Sequence, residues 1–235
     1  MKIDVLVVGA HPDDSELGVG GTLAKLKAKG YKTGIIDLTR GELGSRGDFK
    51  ERLKEAERSS KVLGLDLREN LNLGDCKIEN SFENGVLLAE RIRKLRPFLV
   101  FAPYWNDRHP DHARASKLCK RACFMARLSK IELDLDIHSP NQLIYYMVHD
   151  TFRPTFIVDI TNHFEKKIEA LKSFKTQFLN QKEIKNYRFI GAENYLYHTK
   201  AKARFYGAMI NTQYGEAFLV RDTLRIDDPL KFWRF

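Results

Sequence analysis

The sequence predicts an α/β fold: a Rossmann-like, mostly parallel sheet with helices on both faces. Short apolar runs alternate along the chain with longer helical patterns, and the runs are nearly continuous in Val, Ile, Leu and Phe rather than alternating with polar residues. That is the signature of strands buried on both sides. The 235 residues are 43% hydrophobic and 30% charged, enough for one sizeable core, and they suggest a single domain over residues 1–235 with a helical C-terminal part.

The elements follow in order. Ile3–Val8 reads as the first strand, and ELGVGGTLAKLKAKG after it reads as a helix closed by Gly30. Thr33–Thr39 is a second strand, followed by a helix through RLKEAERSSK that ends at Gly64. A short run at Leu71–Leu73 supplies a third strand and Phe98–Ala102 a fourth, with a helix after RHPDH. Leu143–Val148 and Phe156–Ile160 add two more strands. Beyond residue 160 the pattern turns helical: Phe164, Ile168, Leu171, Phe174 and Phe178 recur by threes and fours on one face. The polar segment Asn180–Asn186 then precedes a second helical stretch at about Ala192–Ile210. No Ser/Gly/Pro linker, repeat or low-complexity block marks a second domain.

Composition excludes several function classes. No apolar run approaches the about 20 residues that cross a bilayer, so no membrane association is expected. Cys76, Cys119 and Cys123 are odd in number and form no CxxC, and no leader-like segment opens the chain, which points to the reducing cytoplasm. The formal charge of +9 invites a nucleic-acid reading. The basic residues, however, are spread through KLKAKG, RLKEAERSSK and RIRKLR among acids and apolar positions, as on a solvated face, so no nucleic-acid partner is expected. Anionic small molecules remain compatible with such a field.

In an open parallel sheet, binding residues collect at the carboxyl ends of the strands. Three polar segments should therefore meet on one edge: Ala10–Glu16, Arg40–Arg46 and Pro103–His112. Gly18, Gly20 and Gly21 come too late after the first strand for a dinucleotide fingerprint and read as close helix packing. His11 and Asp14, three residues apart across Pro12, suit a metal such as Zn²⁺, while Asp13, Asp14 or Ser15 taken alone equally suits a helix cap. WNDRHPDHARASKL repeats the His-Pro-Asp pattern at another strand end, so His11, Asp14 and either His109 or His112 supply the three ligands of a catalytic metal. Fe²⁺ and Co²⁺ suit the same donors. Cys119 and Cys123 share a helix face and read as core, and His138, His149, His163 and His198 read as structural.

AHPDDSELGVGGTL and RHPDHARA resemble the LmbE-like or PIG-L-like zinc-dependent N-acetylglucosaminyl deacetylases, over nearly the whole chain. DLTRGELGSRG, RLKEA, DITNHFEKKIEALKSFKTQF and YGEAF are similar to the branch that makes bacillithiol. The resemblance implies that His11, Asp14 and His112 bind one zinc, that Asp13 is the general base, and that His109 stabilises or protonates the reacting amide. It further implies that Asp111 orients an imidazole, that Tyr195 helps hold the oxyanion, and that Arg52 grips the sugar or its anionic aglycone. Glu42, Ser45 and Arg46 would line the pocket. The implied substrate is a small sugar conjugate, N-acetylglucosaminyl malate first, and the implied assembly is a homo-oligomer, a trimer or hexamer. QKEIKNYRFIGAEN stands where that branch carries a longer polar insert with Thr and Pro, which bears on substrate choice.

Overall fold

A computed structural model describes residues 1–179, 192–228 and 230. Seven strands form one sheet: β1 (Val5–Gly9), β2 (Thr33–Asp37), β3 (Leu67–Asn70), β4 (Leu99–Pro103), β5 (Gln142–Tyr146), β6 (Phe156–Asp159) and β7 (Gly215–Leu219). Their order is β3-β2-β1-β4-β5-β7-β6, with β3 through β5 parallel. β7 runs antiparallel to both β5 and β6. The expected mostly parallel sheet is therefore present, with an antiparallel strand inserted near one edge.

Strand residues alternate between two cores. Leu6, Val8, Ile36 and Val100 point to the face covered by α3 (Phe82–Leu95) and α4 (Pro110–Ala126), meeting Leu88, Ile92 and Leu118. Val5, Val7, Ile35 and Phe101 point the other way, against Val19 and Leu23 of α1 (Asp14–Ala28) and Leu63 of α2 (Phe49–Leu63). Each strand residue thus reports its face by parity, as a pleat requires. Gly64 ends α2 in the left-handed region at φ 71°, where glycine carries no Cβ penalty.

Three local expectations are corrected. The third strand is Leu67–Asn70, not Leu71–Leu73; those two leucines instead pack on the core from the segment after it. YGEAF contains an unanticipated strand, since Glu216 breaks an apolar run and no strand was expected after residue 160. The apolar series from Phe164 to Phe178 does face inward, but across two helices, α5 (Phe164–Lys172) and α6 (Lys175–Phe178), with Phe174 between them. The second helical stretch is α7 (Ala192–Ala208). The polar segment Asn180–Asn186, and most of QKEIKNYRFIGAEN, lie outside the described residues. No helix among the described residues is long and apolar enough to cross a membrane.

The glycines of GVGG pack, as expected. A Cβ on Gly21 would meet Ile160 Cδ1 at 2.6 Å, and one on Gly20 would come within 3.2 Å of the Lys167 stem. α1 therefore lies closer to its neighbours than a larger residue permits.

Candidate active site

The carboxyl ends of β1, β2 and β4 do converge. His11–Asp14 turns from β1 into α1, and His109–His112 turns from β4 into α4, where Pro110 takes the first helical position that needs no donor. Ligand atoms of His11, Asp14 and His112 lie within 4.8 Å of one another, and all three residues are buried.

The surrounding carboxylates settle how these side chains point. His11 Nε2 lies 3.2 Å from Asp75 Oδ1 and 3.4 Å from Asp111 Oδ2, while its Nδ1 faces Asp14 Oδ2 at 3.4 Å. His112 Nδ1 is 3.0 Å from Asp107 Oδ1, and its Nε2 is 3.2 Å from Asp14 Oδ1. Burial raises the carboxyls of Asp75 and Asp107, but the imidazoles' hydrogen bonds and charge, with backbone N–H donors, together outweigh it and hold both low, Asp75 at about 2. Ionised carboxylates accept; each histidine therefore donates its outer N–H and turns its inner nitrogen toward Asp14. Two inward nitrogens, one carboxylate and anionic partners behind both rings form the donor set of a zinc-type divalent cation.

Asp14 is a ligand candidate rather than a helix cap, because its Oδ2 turns back to accept the His11 amide at 2.9 Å. Asp13 caps nothing either: it makes no side-chain cap hydrogen bond, and its φ of 122° lies in a region that side chains rarely adopt. Its Oδ2 instead accepts from Arg52 Nη2 at 2.8 Å. Burial pushes the Asp13 carboxyl up to about 7; Arg52 opposes that rise and Asp14 adds to it. A buried carboxylate with a raised pKa, beside the ligands but paired elsewhere, has the properties of a general base.

Arg52 is buried against the first turn. Its Nε and Nη2 both donate to the Pro12 carbonyl, at 3.2 and 3.0 Å, and Nη2 also holds Asp13. Through Nε and Nη2 the guanidinium thus braces the strained turn. Glu42 likewise works indirectly, accepting the Asp75 amide at 3.0 Å, and Arg46 donates to the Gln177 carbonyl. Ser45 is exposed on the same loop.

His109 Nδ1 accepts the Asp111 amide at 3.2 Å, which leaves the neutral ring's proton on Nε2. Burial lowers its pKa, with the positive charge of His11 and His112 adding to that effect. Asp111 lies against His11, and its Oδ2 also accepts the Cys76 amide at 2.7 Å.

Three contributors escaped sequence reasoning. Asp75 lies in a segment with no motif, and Asp107 sits in WNDRHPDH, where its distance from His112 gave a usable but unread signal. His149, expected to be structural, stacks on His112 at 5.1 Å between ring centroids, and its Nδ1 shares a 2.8 Å hydrogen bond with the Tyr195 hydroxyl. Its backbone amide donates to Asp107 Oδ2 at 2.9 Å. Burial, then the charge of His112, lowers the His149 pKa to about 4. Tyr195 is therefore brought to the site, through a histidine that lies outside both His-Pro-Asp segments.

Comparison with known proteins agrees with this geometry. The family model described as PIG-L, GlcNAc-PI de-N-acetylase, matches residues 6–123. Diacetylchitobiose deacetylase of Thermococcus kodakarensis is 33% identical over 189 residues, covering 74% of this chain and 70% of its own. The conserved protein TT1542 of Thermus thermophilus superposes with a TM-score of 0.87 at 39% identity, over 96% of this chain and 98% of the other. N,N'-diacetylchitobiose deacetylase of Pyrococcus horikoshii gives a TM-score of 0.81 at 30% identity, over 92% and 83%. Both polar turns lie inside the matched span, and on these grounds the chain belongs to the PIG-L family and is a deacetylase.

Proposed function

We propose that the chain is a zinc-dependent hydrolase that removes the acetyl group from an N-acetylglucosaminyl conjugate. The observation that carries this is the division of labour at the first turn: His11 and Asp14 face His112, while neighbouring Asp13 is held apart by Arg52. His11 Nδ1, Asp14 and His112 Nε2 would hold the metal. When bound there, a zinc ion polarises a carbonyl and lowers the pKa of a coordinated water to about 7.

Asp13 takes a proton from the attacking water. Arg52 fixes that carboxylate and, through Pro12, the turn that presents it. His109, with its proton on Nε2, donates a hydrogen bond toward the reacting amide, and the proton that Asp13 took passes to the departing nitrogen. The Tyr195 hydroxyl, anchored on His149, donates toward the amide oxygen as charge develops there. Asp107, Asp75 and Asp111 orient the ligand imidazoles, and Glu42 anchors Asp75. Ser45 and Arg46 stay at the rim.

N-acetylglucosaminyl malate is the first substrate candidate, supported by the likeness of GELGSRG and YGEAF to the bacillithiol branch. A chito-disaccharide is the second, favoured by two similar proteins named for diacetylchitobiose. An amine-release assay with both, with and without chelator, tests the reading: turnover of at least one, lost with chelator and restored by zinc, is expected. Turnover of neither by zinc-loaded protein overturns it. The homo-oligomer implied by the resemblance is a separate proposal, which sedimentation velocity checks.

A further inference from the structure

A second group of donors lies behind His11. Asp75 and Cys76 come from the segment that follows β3, and Asp111 from the first turn of α4. One ligand atom of each lies within 4.8 Å of the others. Both carboxylates are buried whereas Cys76 is exposed, so solvent reaches the cluster at Cys76. A thiolate with two carboxylates is a donor set for a borderline-soft divalent cation such as Zn²⁺ or Co²⁺, and a poor one for Mg²⁺.

Hydrogen bonding accounts for three of the four carboxylate oxygens. Asp75 Oδ1 faces His11 Nε2 at 3.2 Å, Asp75 Oδ2 accepts the Leu43 amide at 3.0 Å, and Asp111 Oδ2 accepts the Cys76 amide at 2.7 Å. Asp111 Oδ1 is buried and accepts no hydrogen bond among the described residues. Arg114 Nη1 stands 3.8 Å from it, beyond hydrogen-bond reach, on an exposed side chain. A buried carboxylate oxygen without a donor is costly. A cation shared with Cys76 Sγ would remove that cost.

We propose that Asp75, Cys76 and Asp111 form a second divalent-cation site beside the His11, Asp14 and His112 cluster, and that its occupation inhibits turnover. The two clusters share a wall. Asp75 and Asp111 also hold His11, and His109 has a ligand atom within 4.8 Å of those of His11 and Asp111. A cation there draws on the carboxylates that orient His11 and stands beside the side chain that donates to the reacting amide. Binding forms bonds to Cys76 Sγ and to one oxygen of each carboxylate, and the thiol proton leaves to solvent. The inhibition rests on the deacetylase reading of the adjacent centre; the site itself does not.

The test titrates the metal-free full chain with Co²⁺ while following absorbance and amine release. The first equivalent should restore turnover without a thiolate-to-cobalt charge-transfer band, because His11, Asp14 and His112 offer no sulfur. Further Co²⁺ should bring the band and suppress turnover. In Cys76→Ser the first step should be unchanged and the band absent. The inhibitory Co²⁺ concentration should rise at least about 10-fold in that variant, since even groups behind a metal ligand are worth that much affinity. No band in wild type, a band that persists in Cys76→Ser, turnover that excess Co²⁺ leaves unchanged, or equal inhibition of both proteins overturns the proposal. If the first equivalent gives no turnover with either substrate candidate, the deacetylase reading fails by itself. The band then decides the site: its appearance in wild type and absence from Cys76→Ser support it, and its absence from wild type overturns it.

Discussion

Asp13 and Asp14 are adjacent and chemically identical, yet their surroundings divide their roles. Asp14 faces two imidazoles, whereas Asp13 sits at a strained φ and faces a guanidinium. Asp13→Asn should therefore bind zinc like wild type while kcat falls about 100- to 10 000-fold, the usual worth of a general base; metal analysis alongside the amine-release assay checks both halves. Asp107 touches no substrate, but it holds His112 through one oxygen and the His149 amide through the other. Asp107→Asn should weaken zinc binding about 10- to 100-fold, read by competition with a chromogenic chelator. His11, Asp14 and His112 were legible in sequence because each lies within a few residues of another charged group at a strand end. Asp75 and His149 were not, because the partners that give them meaning are 64 and 46 residues away.

At the scale of elements, α1 shows why its three glycines were legible as packing but not as to partner. Spacing excluded a phosphate loop, whereas only the fold shows Ile160 beneath Gly21. Gly21→Ala should cost about 1–3 kcal/mol, the usual range for overpacking, measured by urea denaturation. A second element-level test concerns the join between α1 and β3. Asp66 accepts from Lys27 Nζ at 2.7 Å and from the Thr33 amide at 2.9 Å. Partial burial raises its carboxyl, but those hydrogen bonds outweigh the rise and hold it below the usual range. The folded state thus binds this proton less readily than the unfolded chain. Its stabilisation is full above about pH 4 and drains away as pH falls through the folded pKa. Asp66→Asn should lower Tm at pH 7 and narrow the difference from wild type at pH 3. The parallel core was readable from continuous apolar runs; β7 was not, because Glu216 interrupts it and meets its partners Lys167 and α1 through the fold.

Across the whole molecule, the ligand cluster ties the end of β1 to the start of α4, about a hundred residues on. Binding that favours the folded state stabilises it by mass action, about 4 kcal/mol when free ligand is a thousand times Kd. Zinc should accordingly raise Tm and a chelator lower it, whereas His112→Ala should erase the difference; differential scanning fluorimetry reads this without any substrate.

The position of β7 has a consequence for how the chain comes together. β6 ends at Asp159 and has its pairing partner in β7, which begins at Gly215 and separates it from β5. During synthesis β1 through β5 can assemble with both motif turns in place, while β5 presents an open edge until the last strand arrives. Such long-range pairing is slow to form and exposes an unpaired edge meanwhile. Chains ending shortly before Gly215 should hold both halves of the metal site and still aggregate.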